Sequence, residues 1–167
     1  MDYKIVDDIN KYIDEIIELD DDFYDKRYLW SNEYQHQVYE RNHDSFIAVE
    51  LNNKLIGYLN YLSITKEKYD EIINSDTTVD DFELTDIIPF SDETYITINS
   101  IVILKEYQDG EVIKMINNEF INKVMNDKRV KGINGIAISD DGNKWFINMG
   151  FTHVKKLLDN NDLYIKE

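Results

Sequence analysis

The sequence predicts a mixed α/β chain built on one central sheet. Three observations predict it. Runs rich in β-branched and aromatic residues stand at 45–64 ("SFIAVELNNKLIGYLNYLSI"), 94–104 ("TYITINSIVIL") and 132–138 ("GINGIAI"). Between and before them lie apolar stripes at helical spacing. The chain then closes on two short β runs around "DNND". This alternation gives a sheet flanked by helices.

Each element follows in order. "YKIV" near the start reads as a short strand. Ile9, Tyr12, Ile13, Ile16 and Ile17 recur at helical spacing with acids on the opposite side, so one helix follows. "ELDDDFYDKRYL" breaks that pattern, and Asp20–Asp22 are expected to be a solvated helix end. A second helix starts near Ser31, with Tyr34 and Val38 on one face. The 45–64 stretch is a hairpin whose turn is Asn52-Asn53. Residues 64–94 carry ten acids against two lysines and hold the only proline, Pro89. There "KEKYDEIIN" is a short helix, and a long acidic loop follows it.

The 94–104 run is apolar on both faces toward its end, as a central strand is. Val112, Ile113, Ile116, Phe120 and Val124 mark a helix that Asp109 caps. "SDDGNKWFINMG" is a short helix with Asp140 or Asp141 at its N-cap, and Gly150 stops it in the left-handed region. The order is strand, two helices, three strands, helix, strand, helix, two strands. No linker or repeat interrupts it, so residues 1–167 are expected to be a single domain.

Composition excludes several classes. The chain is 43% hydrophobic, enough for a core, and contains no cysteine, so disulfides and thiolate metal sites are out. Its formal charge of −16 disfavours nucleic acid and anionic lipid and favours cationic partners such as amines. No apolar run is long enough to cross a membrane, and "MDYKIVDDINKY" lacks the basic and apolar regions of a signal peptide. A cytoplasmic protein is expected. The sequence leaves the oligomeric state open, a homodimer included.

Few motifs carry chemistry on their own. His36, His43 and His153 are scattered with no metal-ligand spacing, and no Walker loop, dinucleotide fingerprint or nucleophile elbow occurs. The strand-turn-helix at 96–124 is more informative. The first turn of its helix, in "QDGEVI", offers free N–H groups and the positive end of the helix dipole to an anion.

On these residues the chain resembles the GNAT family of N-acetyltransferases over nearly all its length. The family's cofactor motif runs strand, then V-x-P-x-Y/F-R/Q-G-x-G-x-G/A, then helix. "ILKEYQDGEVI" lies in register with it: Ile103 at the valine, Tyr107 at the aromatic, Gln108 at the Arg/Gln. Asp109, Glu111 and Ile113 stand at the small-residue positions, so the phosphate loop is degenerate. A second motif, N-x-x-A-x-x-f-Y-x-x-x-G-F, aligns with "SDDGNKWFINMGF". Ser139 takes the asparagine position, Gly142 the alanine and Phe146 the tyrosine, while Gly150 and Phe151 match outright.

The resemblance implies a GNAT fold of about six to seven strands and about four helices, with an acidic insertion at 64–94. It implies acetyl transfer from acetyl-CoA to a primary amine on a small molecule or a protein, with no metal. Backbone groups of Ile101, Val102 and Ile103 would meet the pantetheine arm. Residues Gln108, Asp109, Gly110, Glu111, Val112 and Ile113 would meet the pyrophosphate, and Ser139 and Phe146 would border the cofactor. The family's tyrosine often protonates the leaving thiolate; Phe146 lacks that hydroxyl, and Phe146→Tyr is a nearly isosteric way to restore it. Asn99 and Ser100 would hold a water, while Asp92 and Glu93 stand just before the strand. No catalytic residue is legible, general base or acid. The altered motifs leave open a non-catalytic GNAT-fold protein that binds a CoA ester or a protein partner.

Overall fold

The computed structural model describes residues 1–42 and 44–167; His43 lies outside the described residues. Seven strands form one mixed sheet in the order β1-β2-β3-β4-β5-β7-β6. They are β1 (Lys4–Ile5), β2 (Phe46–Leu51), β3 (Lys54–Ile64), β4 (Thr94–Ile103), β5 (Val130–Ala137), β6 (Thr152–Lys156) and β7 (Asp162–Lys166). Five helices accompany them: α1 (Ile13–Phe23), α2 (Asn32–Arg41), α3 (Lys66–Asn74), α4 (Glu111–Phe120) and α5 (Asp140–Asn148). β1 and β2, β2 and β3, β5 and β7, and β6 and β7 pair antiparallel, whereas β4 and β5 run parallel from Thr94 to Ile98. The chain divides into two compact units, each discontinuous in sequence. One comprises Met1–Tyr61 and Ser100–Asn126, the other Leu62–Asn99 and Asp127–Glu167.

In the first unit the β2–β3 hairpin turns at Asn52 and Asn53, both at positive φ (52° and 60°). That is the conformation a two-residue primed turn requires, and asparagine tolerates it. Successive residues of β3 serve opposite faces. Tyr58 points to α1 and α2, where its hydroxyl meets Asp20. Gly57 faces α4, where an added Cβ would lie 3.2 Å from both Ile103 Cγ1 and Val112 Cγ1. The stripe of α4 is buried as expected at Val112, Ile116 and Phe120, and Val124 continues it in a π-helical turn over Ile121–Met125. The expected solvated end of α1 is different. Asp20 is only 4% exposed and belongs to the core, because two tyrosines supply the hydrogen bonds that its burial requires.

In the second unit α3 and α5 pack on opposite faces of β5. Tyr69 of α3 lies against Gly132, and Phe146 of α5 lies against Gly135. α3 starts at Thr65, whose hydroxyl accepts from the Lys68 N–H. The acidic stretch after it folds back on this helix. Lys68, 6% exposed, pairs with Glu71 (2.8 Å) and Asp86 (3.5 Å) and donates to the Asp81 carbonyl (3.1 Å). Part of the acidic charge is therefore spent on one buried ammonium. The expected caps of α5, Asp140 and Asp141, sit instead in its first turn; Ser139 is the N-cap, its Oγ accepting from the Gly142 N–H at 3.1 Å. Aspartates there still favour the helix through its dipole. Gly150, at φ 81°, ends the segment.

Candidate functional site

The candidate site in the first unit is one continuous stretch: the last residues of β4, the turn after it and the first turn of α4. Near the end of β4, Val102 is 1% exposed, while Ile101 and Ile103 on either side of it are half-buried. The end of the strand is tied to β3 by the Leu104 N–H, which donates to the Ile56 carbonyl at 2.9 Å. The chain then makes a single tight turn over Lys105–Tyr107. Gly110 follows at φ 101°, with no atom within 4 Å of where a Cβ would stand. A left-handed residue there re-aims the backbone so that α4 begins at Glu111. Its carbonyl receives the first helical bond, from the Lys114 N–H at 3.1 Å.

The polar groups of this stretch are already partly engaged. The Tyr24 hydroxyl donates to the Ile101 carbonyl and accepts from the Ile101 N–H, both at 3.1 Å. The Gln108 amide donates to the Ile103 carbonyl at 2.9 Å. The N-cap of α4 is Gly110 rather than the expected Asp109, whose carboxylate still accepts from the Glu111 N–H at 3.1 Å. Ser100 Oγ is buried and has no hydrogen-bond partner among the described residues. Nearby, burial and then the charges of Asp109 and Glu111 raise the Tyr3 phenol above its ordinary value. Burial and the Asp20 charge drive the Tyr24 phenol far up as well, so it stays protonated.

Ile101, Val102, Ile103, Gln108, Asp109, Gly110, Glu111, Val112 and Ile113 thus lie along one stretch of the first unit, with the side chains of Val102 and Val112 buried in its core. Ser139 and Phe146 belong to the second unit. Phe146 is 4% exposed. It stacks on Tyr164 (4.9 Å, 5° between planes) and meets Phe151 and Trp145 edge-on at 5.1 and 5.0 Å. Its para carbon is 2.3 Å from the place of a Gly135 Cβ, so the ring is seated directly on the β5 backbone. Trp145, Phe146 and Phe151 thus pack on one another, and Phe146 on Tyr164. Tyr164 brings the only hydroxyl among these stacked rings, and it donates to Asn143 Oδ1 at 2.7 Å.

Sequence reasoning missed Tyr24 and Asp20. Neither carries a motif, and Tyr24 meets its partner 77 residues away. Of the histidines, His36 faces Asp14 at 3.4 Å and His153 faces Asp162 at 2.8 Å. No group of three metal-ligating side chains stands together among the described residues.

Neither a protein-family model nor a curated protein matches this sequence. Solved structures do match it. The loading GNATL domain of CurA from Lyngbya majuscula superposes with a TM-score of 0.71 at 11% identity, covering 99% of this chain and 97% of that one. The chain has the GNAT fold. Arabidopsis thaliana Naa50, in complex with the bisubstrate analogue CoA-Ac-MVNAL, gives 0.68 at 10% identity, covering 100% and 99%. The PaiA N-acetyltransferase of Thermoplasma acidophilum, in complex with coenzyme A, gives 0.63 at 14% identity, covering 100% and 99%. The seven strands of this GNAT fold agree with the expected number. The fifth helix, α3, is the short helix expected at "KEKYDEIIN" in the acidic stretch, beyond the four that the resemblance implies.

Proposed function

We propose that this GNAT-fold chain is an acyl-CoA-dependent N-acyltransferase that transfers acetyl from acetyl-CoA to a primary amine. One observation carries the reading. Gly110 stands at positive φ in open space at the start of α4, so the backbone there is accessible to a phosphate. The amides of Gly110, Val112 and Ile113 would hold the pyrophosphate, and the β4 end at Ile101–Ile103 would meet the pantetheine arm. Such a ligand supplies a thioester-activated acyl group. The chain's own part is positioning, exclusion of water and acceptance of the amine's proton, and its net charge of −16 suits a cationic acceptor. The acceptor is a small-molecule or protein amine; the Naa50 structure bears a peptide portion on its analogue. No described helix is long and apolar enough to cross a membrane.

A second reading, binding of a CoA ester without turnover, is favoured by the Asp109 carboxylate, which already occupies one first-turn N–H. Titration calorimetry with acetyl-CoA, then thiol release over a panel of amines, separates the two. Heat together with amine-dependent thiol release establishes transfer. Heat without release over a broad panel leaves binding alone. No heat and no rise in melting temperature at millimolar CoA overturns both.

A further inference from the structure

The β4 edge at Ile101 is paired to a side chain. The parallel register between β4 and β5 ends at Ile98 opposite Gly135, three residues before it. At Ile101 the edge N–H and C=O are both satisfied by one hydroxyl, that of Tyr24. One donor and one acceptor offered to a single residue is the complement that an extended amide chain gives in a hydrogen-bonded strand pair. Tyr24 therefore stands where an amide-bearing arm would pair. It also stands at the end of a helix, where the chain beyond it is exposed. It is the C-cap of α1, in extended conformation (φ −109°, ψ 146°), with its N–H on the Asp20 carbonyl. Residues 25–27 beyond it are exposed, and none of 24–31 is buried. Swinging its side chain away breaks two hydrogen bonds and uncovers both Ile101 groups.

We infer that Tyr24 is an internal competitor for the pantetheine arm, setting acyl-CoA affinity by occupying the backbone groups of Ile101 that the arm's amides would pair with. The inference rests on the CoA-binding reading above and concerns the same β4 edge. The arm replaces the phenol: its amide oxygen accepts the Ile101 N–H, and its amide N–H donates to the Ile101 carbonyl. Tyr24→Phe keeps the ring and removes the competing hydroxyl, so the arm no longer has to displace a hydrogen-bonded group.

The test is calorimetric titration of CoA into the wild-type chain and Tyr24→Phe, with hydrogen exchange on the wild type. A net hydrogen-bond contribution of order 1 kcal/mol corresponds to CoA binding about fivefold tighter in the variant. A merely structural tyrosine would leave affinity unchanged or weaken it, and either result with a folded variant overturns the inference. Absence of CoA binding by both proteins overturns the CoA reading itself. The exchange experiment does not depend on the variant folding. Saturating CoA should slow exchange at 101–113 and speed it at 24–31 as Tyr24 is released. Slower or unchanged exchange at 24–31 with CoA bound overturns the inference.

Discussion

At Phe146 the para carbon is the ring atom nearest to where a Gly135 Cβ would stand, 2.3 Å from it. An oxygen on that carbon would be added where the ring already lies close against the β5 backbone. Phe146→Tyr, nearly isosteric on paper, is therefore an overpacking change here, and urea denaturation should show a loss of about 1–3 kcal/mol. Unchanged stability would show that the ring has slack. The other telling residue is Asp20. Burial raises its carboxyl from 3.8 to about 6, against the lowering hydrogen bonds of Tyr58 and Tyr39, with the neighbouring Asp21 charge adding to the rise. Besides Asp21, the titratable groups around it are the phenols of Tyr58, Tyr39 and Tyr24, all raised and uncharged. The folded state holds this proton more tightly than the unfolded state does. Between about pH 4 and pH 6 the folded chain binds more protons, so stability falls as pH rises and levels off above about 6. The contribution is of order 3 kcal/mol at most. Urea midpoints across pH 4–7 should show this decline, and Asp20→Asn should flatten it. An equal slope in the variant would assign the decline elsewhere.

At the level of elements, the proposed CoA binding places two opposed demands on the start of α4. Asp109 and Glu111 stabilise the helix by hydrogen bonding and by their interaction with its dipole. The same charges oppose a pyrophosphate by about 1 kcal/mol each at intermediate dielectric. Asp109→Asn keeps an oxygen to accept the Glu111 N–H and removes the charge. CoA affinity should rise about fivefold while the melting temperature hardly moves; titration calorimetry beside a thermal melt reads both. A drop in affinity would mean that the carboxylate helps to shape the loop. Legibility also differed from element to element. The stripe of α4 and the Asn52-Asn53 turn were readable because periodicity and positive φ are local requirements. The cap of α5 was not, since Ser139, Asp140 and Asp141 are adjacent competent caps and only the backbone geometry selects Ser139.

For the whole molecule, the net charge of −16 sets the long-range field. A CoA molecule is itself a polyanion, so its approach is opposed at low ionic strength. Affinity should rise as salt is taken from about 0.01 to 0.15 M, where the screening length falls from about 30 to 8 Å. This is the reverse of the trend for a basic phosphate site. A fall in affinity with salt would reveal a local cationic patch that outweighs the global charge. Not all the acidity is free to act on a ligand: Asp86 and Glu71 are held by Lys68, and Asp162 by His153 and Lys156.

Local sequence sufficed for the sheet-and-helix order, the hairpin at Asn52-Asn53, the strand-turn-helix of 96–124 and the stop at Gly150. Each depends on periodicity or on a backbone conformation that a few residue types prefer, and such preferences act over one or two turns of chain. Tertiary structure alone decided that Asp20 is buried between Tyr58 and Tyr39, that Phe146 is closed against Gly135 and that Tyr24 takes up the groups of Ile101. These depend on contacts between residues far apart in sequence. An acid reads as surface until a distant donor is brought to it, and the seat of an aromatic on a strand is set by a glycine that lies far from it in sequence.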